Sequence, residues 1–546
     1  MQMENHYDAA KYKQVLKNYH KVSDRHVLVL ETDLPYQEKC RVFHYSDLLR
    51  KAGNELTAIM KNKYEQLIRT KKYRKLKLLY GKYAKSNDKA KCKEIAKEMS
   101  NMQKQYDVTW NFCRSSMIPI GKKYGLDAVF ALTKAEDVWK AVEKCLYSDG
   151  TKMHFAKRGH LPNIRAKQKN RGIIIKSEEE KLFFKFNGIQ FSVKVKDRFE
   201  RDEISAILAY LSNPEWTDFT AVKTWQEDGV CMDTYRPCYA SLVCKKIRGK
   251  CRVYLHITVE GKAKPKYDRQ GNLKHKYRKG KIGCDIGTQT IAYTSDIEVG
   301  LKNLAERGSS ILDNEQKEKR IYRAMDRSRR ATNPNNYNAD GTIRKGRKIW
   351  NYSNHYRKLK AKHSELCRIN AENRHFSINE EVNHLRQLGD TFITESQNAK
   401  RLQKRSKITT RNQAGKINRK KRFGKSIKNR CPGYFQAKVK QKFTNTRGIY
   451  IEVPNHYRAS QYDHTVDDYS KKKLSDRMYC LGNGTRVQRD WYSSFLLYNI
   501  NMTERVIDKD QCKVTFDMQY QKEKVLIEWI RANKIKVFNS GIKINL

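Results

Sequence analysis

Charge constrains this chain before any pattern in it does. Lysine and arginine number 114 against 59 aspartates and glutamates, a formal net charge of +55. Such a surplus repels itself and opposes compaction unless a polyanion is present. Basic segments that seek membranes are short tails or amphipathic helices, whereas here the excess runs the whole length. A nucleic acid is therefore the expected partner. The quantity matters too: a guide–target duplex of about 20 base pairs carries roughly 40 phosphates, the charge scale of a protein that wraps a long duplex.

The chain is nevertheless built to fold. Its 32 Tyr, 18 Phe and 7 Trp supply cores and stacking surfaces, and aromatic and β-branched runs recur too often for complete disorder. At 546 residues it has room for about three to four domains. No apolar run approaches the roughly 18 residues of a membrane span, and residues 1–26 hold no signal-peptide core, so a cytoplasmic, nucleoid-associated protein is expected. The 13 cysteines include no C-x-x-C pair, which argues against a closed zinc ribbon. Cys231, Cys238, Cys244 and Cys251 are the densest group, but separations of six and seven residues fit successive strands, and ordinary reduced thiols are the better reading.

Periodicity divides the chain. Residues 25–33 and 40–44 read as an opening strand pair. From about 45 to 147 the spacing turns helical, with a capping-box form at Thr133–Glu136 ahead of an apolar stripe. Tyr64 to Lys85 is basic and interleaved with Tyr73, Tyr80 and Tyr83, which suggests that Lys71, Lys72 and Arg74 touch a nucleic-acid backbone. KLFFKF-Asn187-Gly188-IQFSVKV is a hairpin signal, because Asn-Gly supplies the positive φ angles of a type I′ turn. A second hairpin is predicted to turn near Arg248-Gly249, and Gly261–Gly280 reads as a connector. From Lys281 the pattern is mixed α/β: two strands in KIGCDIGTQTIAYTS, helices near 312–330 and 351–388 around an Asn/Gly-rich loop, a strand in DTFITES and another in GIYIEVP. A helix opens in RVQRDWYSSFLLYNI. Residues 400–430 contain 14 Lys or Arg and no acid, a run that is disordered or held against phosphates.

Three acids stand out by context. Asp285 ends the strand KIGCD, Glu395 ends FITE, and Asp490 begins the helix after RVQR. Carboxylates at element ends can converge, and two divalent ions sharing carboxylate ligands suffice to hydrolyse a phosphodiester: one activates water, the other stabilises the leaving oxygen. Mg²⁺ suits oxygen ligands. Each acid alone reads equally as a turn residue or cap. Their order, an Asp on a strand entering a hairpin, a Glu on a later strand and an Asp opening a late helix, is that of an RNase H-type arrangement.

At these residues the chain resembles a known family. GCDIGTQTIA resembles the first RuvC motif, ITESQNAKRL the second and VQRDWYSSFLLYNI the third, of TnpB-type RNA-guided nucleases and their compact type V CRISPR relatives. RAMDRSRRATNPNNYNADGTIRKG and KKRFGKSIKN are also similar to stretches of that group. The resemblance covers about residues 281–500. It implies a multidomain α/β protein: an N-terminal β-barrel-like wedge domain (1–44 and 161–280) interrupted by a helical recognition domain (45–160), then an RNase H-like (RuvC) nuclease domain (281–458 and 487–546, with the C-terminal tail) carrying a small insertion (459–486). It implies that Asp285, Glu395 and Asp490 hold two Mg²⁺ ions, and that a guide RNA and double-stranded target DNA are the partners. Arg327, Arg329, Arg330, Lys404, Arg405, Arg419, Lys420, Lys421, Arg422 and Lys425 are the further phosphate-binding candidates. Glu452 also ends a strand and competes for the middle role. In the family, the strand leading into a Ser-Gln pair precedes the insertion; Ser460-Gln461 fits there, which favours Glu395.

The departure lies at 462–485. Relatives commonly carry a four-cysteine zinc ribbon there, but Tyr462 and Thr465 occupy the first pair's places, and only Cys480 remains of the second, with Asn483 opposite. His464 lacks enough partners, so zinc is not expected. Arg477 lies where relatives carry a basic residue near the scissile phosphate, and either stabilises developing charge or positions a phosphate. Arg489 does either, or forms a structural ion pair. The resulting expectation is an RNA-guided DNA endonuclease with a single nuclease centre, monomeric or homodimeric. The alternatives are a guide-dependent repressor with an inactive nuclease and a transposon-encoded accessory protein.

Overall fold

A computed structural model describes residues 25–148, 150–167, 170–212, 235–261, 263–264, 266–306, 310–396, 402–403, 408–413, 415, 424–454, 457–470 and 476–544. Of 85, 310–313 and 425 it describes the backbone alone. The chain forms two compact units that divide between Pro265 and Lys266, so the second unit takes in most of the connector read over Gly261–Gly280. Among the described residues, no helix is long and apolar enough to cross a membrane.

The first unit opens with strand β1 (Arg25–Thr32) and helix α1 (Tyr36–Arg69). The strand read at 40–44 is therefore helix. Val42, Phe43, Ser46, Leu49, Ala52, Gly53 and Leu56 are buried at three- and four-residue spacing, the period of a helix and not of a strand. Helices α2 (Lys71–Lys85), α3 (Lys89–Gln105), α4 (Trp110–Lys123) and α5 (Ala128–Tyr147) follow. The capping box at Thr133 is also corrected. The cap of α5 is Asp127, whose Oδ1 accepts from Val129 N at 2.8 Å, while Thr133 sits inside the helix with Oγ1 donating to Val129 O at 2.7 Å.

Strands β2 (Ile164–Arg165), β6 (Val193–Lys194), β7 (Arg236–Ile247) and β8 (Lys250–Glu260) join β1 in an antiparallel sheet of order β2-β7-β8-β1-β6. Strands β3 (Ile173–Glu178), β4 (Lys181–Phe186) and β5 (Ile189–Phe191) form a second sheet, followed by α6 (Arg198–Leu211). Both predicted hairpins are present: Asn187-Gly188 (φ 45° and 76°) joins β4 to β5, and Arg248-Gly249 (φ 50° and 78°) joins β7 to β8. Among the described residues these are open sheets rather than a barrel. They share one core with the helices: Tyr45 of α1, Phe130 of α5 and Phe186 of β4 meet edge to face, with centroids 5.2–5.8 Å apart.

In the second unit, β9 (Lys281–Ile286), β10 (Thr290–Ser295) and β11 (Val299–Asn303) make an antiparallel meander. Helices α7 (Ser310–Thr332) and α8 (Asn354–Leu388) lead to β12 (Thr391–Glu395), which pairs parallel to β9. Helices α9 (Gly424–Arg430) and α10 (Pro432–Asn445) lead to β13 (Ile449–Val453), parallel to β12. The order is β11-β10-β9-β12-β13. Two short hairpins follow, β14 (Tyr462–Asp463) with β15 (Asp468–Tyr469) and β16 (Met478–Cys480) with β17 (Arg486–Gln488), and then α11 (Arg489–Tyr498) and α12 (Lys509–Ala532).

Because side chains alternate along a strand, the sheet has two distinct faces. Ile282, Cys284 and Phe392 pack with Ile378 and Leu385 of α8 and Phe435 and Phe443 of α10. Ile393, Ile451 and Val453 pack on the other side with Trp491, Phe495 and Leu497 of α11 and Phe516 of α12.

Candidate functional site

The face that carries α11 also carries the predicted acids. Thr394 lies opposite Cys284 in the parallel β12–β9 pair, so Glu395 and Asp285 are the next residues in register. Neighbouring strands run about 4.8 Å apart, and the two side chains leave the sheet on the side of Gly283 and Ile393.

Gly283 brings the helix in. A Cβ there would come within 2.2 Å of Ser494 O and of Tyr498 N, so the backbone of α11 rests directly on β9. A 2.8 Å contact between Thr294 Oγ1 and Ser494 Oγ pins the same turn to β10. Asp490 lies one turn N-terminal of Ser494, in the first turn of α11, where the helix dipole favours negative charge. Gln488 caps that end, accepting from Trp491 N at 2.7 Å, and its Nε2 donates to Asp490 Oδ2 at 3.5 Å.

The acids act on one another electrostatically. The Asp285 carboxyl is held well above the usual range by burial and then by the charges of Asp490 and Glu395, offset only through the charges of Arg489 and Arg477. Burial raises Glu395 also, against one hydrogen bond from Ala459 N to Oε1 at 3.0 Å. Asp490 is raised by burial and drawn back by Arg477, whose Nη1 lies 3.4 Å from Oδ1, by Gln488 and by Arg489. Three half-buried carboxyls thus share more negative charge than the protein around them neutralises. A hard divalent cation with oxygen preference fits that donor set, since it would restore the ionised forms.

Glu452 is placed elsewhere. It lies opposite Thr394 in the β12–β13 register, hence on the other face of the sheet. There its Oε1 accepts from Tyr450 OH at 3.0 Å and from Gln436 Nε2 at 3.5 Å. Of the two glutamates, Glu395 shares a face with Asp285 and Glu452 does not.

The basic candidates divide. Lys71, Lys72 and Arg74 are exposed on α2, with Lys72 3.9 Å from Glu98 and Arg74 Nη2 donating to Arg69 O at 3.1 Å. Tyr73 between them belongs to the core, its OH accepting from Gln103 Nε2 at 3.2 Å. Arg327 is exposed. Arg329 and Arg330 have partners within the protein. They grip Asp326 at 2.6 and 2.7 Å and cover the rings of Trp350 and Tyr337, and Arg330 also donates to Gly341 O at 2.9 Å. They hold the loop that follows α7. Lys404, Arg405, Arg419, Lys420, Lys421 and Arg422 lie outside the described residues, as does the side chain of Lys425.

In the ribbon-like region His464 is a core residue: its Nδ1 lies 2.7 Å from Tyr492 OH, and its ring packs 4.6 Å from that of Phe516. Asp463 Oδ2 accepts from Gly482 N at 2.9 Å, tying the two short hairpins together, while Cys480 is exposed.

One residue behind the site has no signature in sequence. Glu523 of α12 is buried, accepts from Gln488 N at 2.7 Å through Oε1, and has no described partner for Oε2. Burial pushes its carboxyl up to about 8. In EKVLIEW it reads as one more charge on an amphipathic helix.

No family model matches the chain, and no curated protein does. Among solved structures, the cryo-EM structure of the Cas12f1–sgRNA–target DNA complex is similar to it at a TM-score of 0.38 and 11% identity, over 87% of this chain and 99% of that one. A similarity at that score carries no function across.

Proposed function

We propose that this protein is an RNA-guided DNA endonuclease with one RuvC-like, metal-dependent centre. The observation that carries the reading is the placement of Asp285 and Glu395 at matching positions, one residue beyond the Thr394–Cys284 pair, on adjacent parallel strands, with Asp490 in the first turn of the helix that rests on that face. The 3-2-1-4-5 strand order of the second unit supports an RNase H-like domain. The RuvC-like motifs and the net charge of +55 support a guide RNA and a DNA target as the polyanions.

Asp285, Glu395 and Asp490 would hold Mg²⁺, which supplies an activated water and a stabilised leaving oxygen when bound. The chain's own residues do the rest. Gln488 and Ala459 N orient two of the carboxylates, and the N-terminus of α11 offers positive potential to a phosphate. Arg477, already beside Asp490, can turn to a phosphodiester oxygen as negative charge develops there.

A second reading, a guide-dependent repressor, draws on the Arg477–Asp490 contact, which would neutralise a ligand permanently if it never opened. The test uses the purified protein with its copurified RNA and a matched DNA duplex. Cleavage that requires Mg²⁺ and disappears in Asp285→Ala, Glu395→Ala and Asp490→Ala while duplex binding persists supports the nuclease. Binding without cleavage by the unaltered protein supports the repressor, and absence of bound RNA would overturn both.

A further inference from the structure

A second cluster of metal-binding side chains lies in the α7–α8 helix pair. His363 and Cys367 are four residues apart on α8, so they leave the same helix face one turn apart. Glu318 of α7 meets them. Its Oε1 lies 3.4 Å from His363 Nε2 and 3.9 Å from Cys367 Sγ, and Sγ is 3.6 Å from Nε2. No other trio of His, Cys, Asp or Glu among the described residues brings its ligand atoms so close together.

Those separations have chemical meaning. A tetrahedral zinc ion with bonds of about 2.0 Å to nitrogen and oxygen and about 2.3 Å to sulfur spaces its ligand atoms roughly 3.3–3.6 Å apart. Two of the three observed edges match, and the third closes with a small rotation of the cysteine or glutamate. Glu318 and His363 are only 14% and 16% exposed, and the Tyr322 ring meets His363 edge to face at 4.4 Å, restricting the imidazole. A thiolate, an imidazole and a carboxylate together are a set for a borderline-soft ion, unlike the all-oxygen set of Asp285, Glu395 and Asp490.

The cluster also carries its own competitor. Lys428 of α9 places Nζ 3.2 Å from the same Glu318 oxygen, yet that lysine is 62% exposed and free to swing away.

We infer that Glu318, His363 and Cys367 form a site for a zinc-class divalent ion that clamps α7 to α8, with solvent in the fourth position and the Lys428 ammonium as the cation it displaces. Binding would release the Cys367 proton to solvent as sulfur bonds the metal.

Cobalt(II) titrated into chelator-stripped full-length protein provides the test, because a thiolate-to-cobalt charge-transfer band reports sulfur ligation and an all-carboxylate centre gives none. The expected result is one equivalent of Co²⁺ producing the band, competed away by Zn²⁺. The band should be absent in Cys367→Ser, unchanged in Cys431→Ser and Asp285→Ala, and weakened in affinity at least about tenfold in His363→Ala and Glu318→Gln. Lys428→Ala should bind Co²⁺ more tightly than the unaltered protein, an effect that misfolding would not produce. No band in the unaltered protein, a band that survives Cys367→Ser, or weaker binding in Lys428→Ala would overturn the assignment.

Discussion

The two units bury carboxylates in opposite ways. In the first, Glu260 at the end of β8 is fully buried and clasped by two arginines: Arg25 at the start of β1, and Arg236 of β7, whose Nη2 is 2.7 Å away. In the second, Asp285, Glu395 and Asp490 crowd one sheet face, and the positive charge that reaches Asp285 acts across space. A structural acid is neutralised where it sits. A set of acids left with a charge deficit destabilises the fold locally, and such a deficit makes sense when something cationic arrives later.

Substituting one acid from each set should therefore move stability in opposite directions, with activity lost only at the charge-crowded set. Asp285→Asn removes part of the repulsion. In chelator it should raise the melting temperature of the protein, while cleavage in Mg²⁺ falls by about 10²–10⁴-fold, the several kcal/mol that metal-assisted charge stabilisation supplies. A variant that melts lower and still cleaves would break the contrast. Glu260→Ala should lower stability alone. Two arginines lose a buried partner, so chemical denaturation should show a loss of about 3–5 kcal/mol, with cleavage per folded molecule unchanged.

Glu523 extends the contrast to pH. Its folded carboxyl titrates near 8, whereas an unfolded glutamate titrates near about 4.3. The folded state thus holds the extra proton between those values, and stability falls as pH rises through that window, then levels off above it. Glu523→Gln keeps an acceptor for Gln488 N and removes the titration. Its melting temperature should match the unaltered protein near pH 4.5 and exceed it increasingly up to pH 8. Parallel curves would show that Glu523 is not the group responsible.

Much of this was legible in the chain, and the exceptions share a cause. The β4–β5 and β7–β8 turns were readable because Asn187-Gly188 and Arg248-Gly249 act within four residues. The strand-end positions of Asp285 and Glu395 were readable for the same local reason. That they share a face, and that Glu452 does not, depends on the register between β9, β12 and β13, which no single segment encodes. The reading of 40–44 as strand failed because Val42 and Phe43 begin a buried stripe that runs to Leu67 along one long helix, a period visible only over a longer window. For Arg329 and Arg330 the sequence shows charge and not partners; the structure adds that Asp326, within four residues, pairs with both. Glu523 left no trace, since burial of one face of α12 is decided by the sheet beneath it.

The smallest expected effect is the sharpest check on the face argument. Glu452 resembles Glu395 in every local respect: each is a glutamate near the end of a parallel strand in the same sheet. If the sheet face decides function, Glu452→Gln should change cleavage by less than about threefold, and its cost should be that of one weakened hydrogen bond from Tyr450, about 1 kcal/mol. Glu395→Gln should abolish cleavage at a similar cost in stability. Both variants preserve size and keep one acceptor oxygen while removing the charge, so a difference between them isolates where the charge points. Equal losses of cleavage would mean that Glu452 reaches the reacting phosphate from the opposite side of the sheet. The register shown here forbids that without a shift of β13 by one residue.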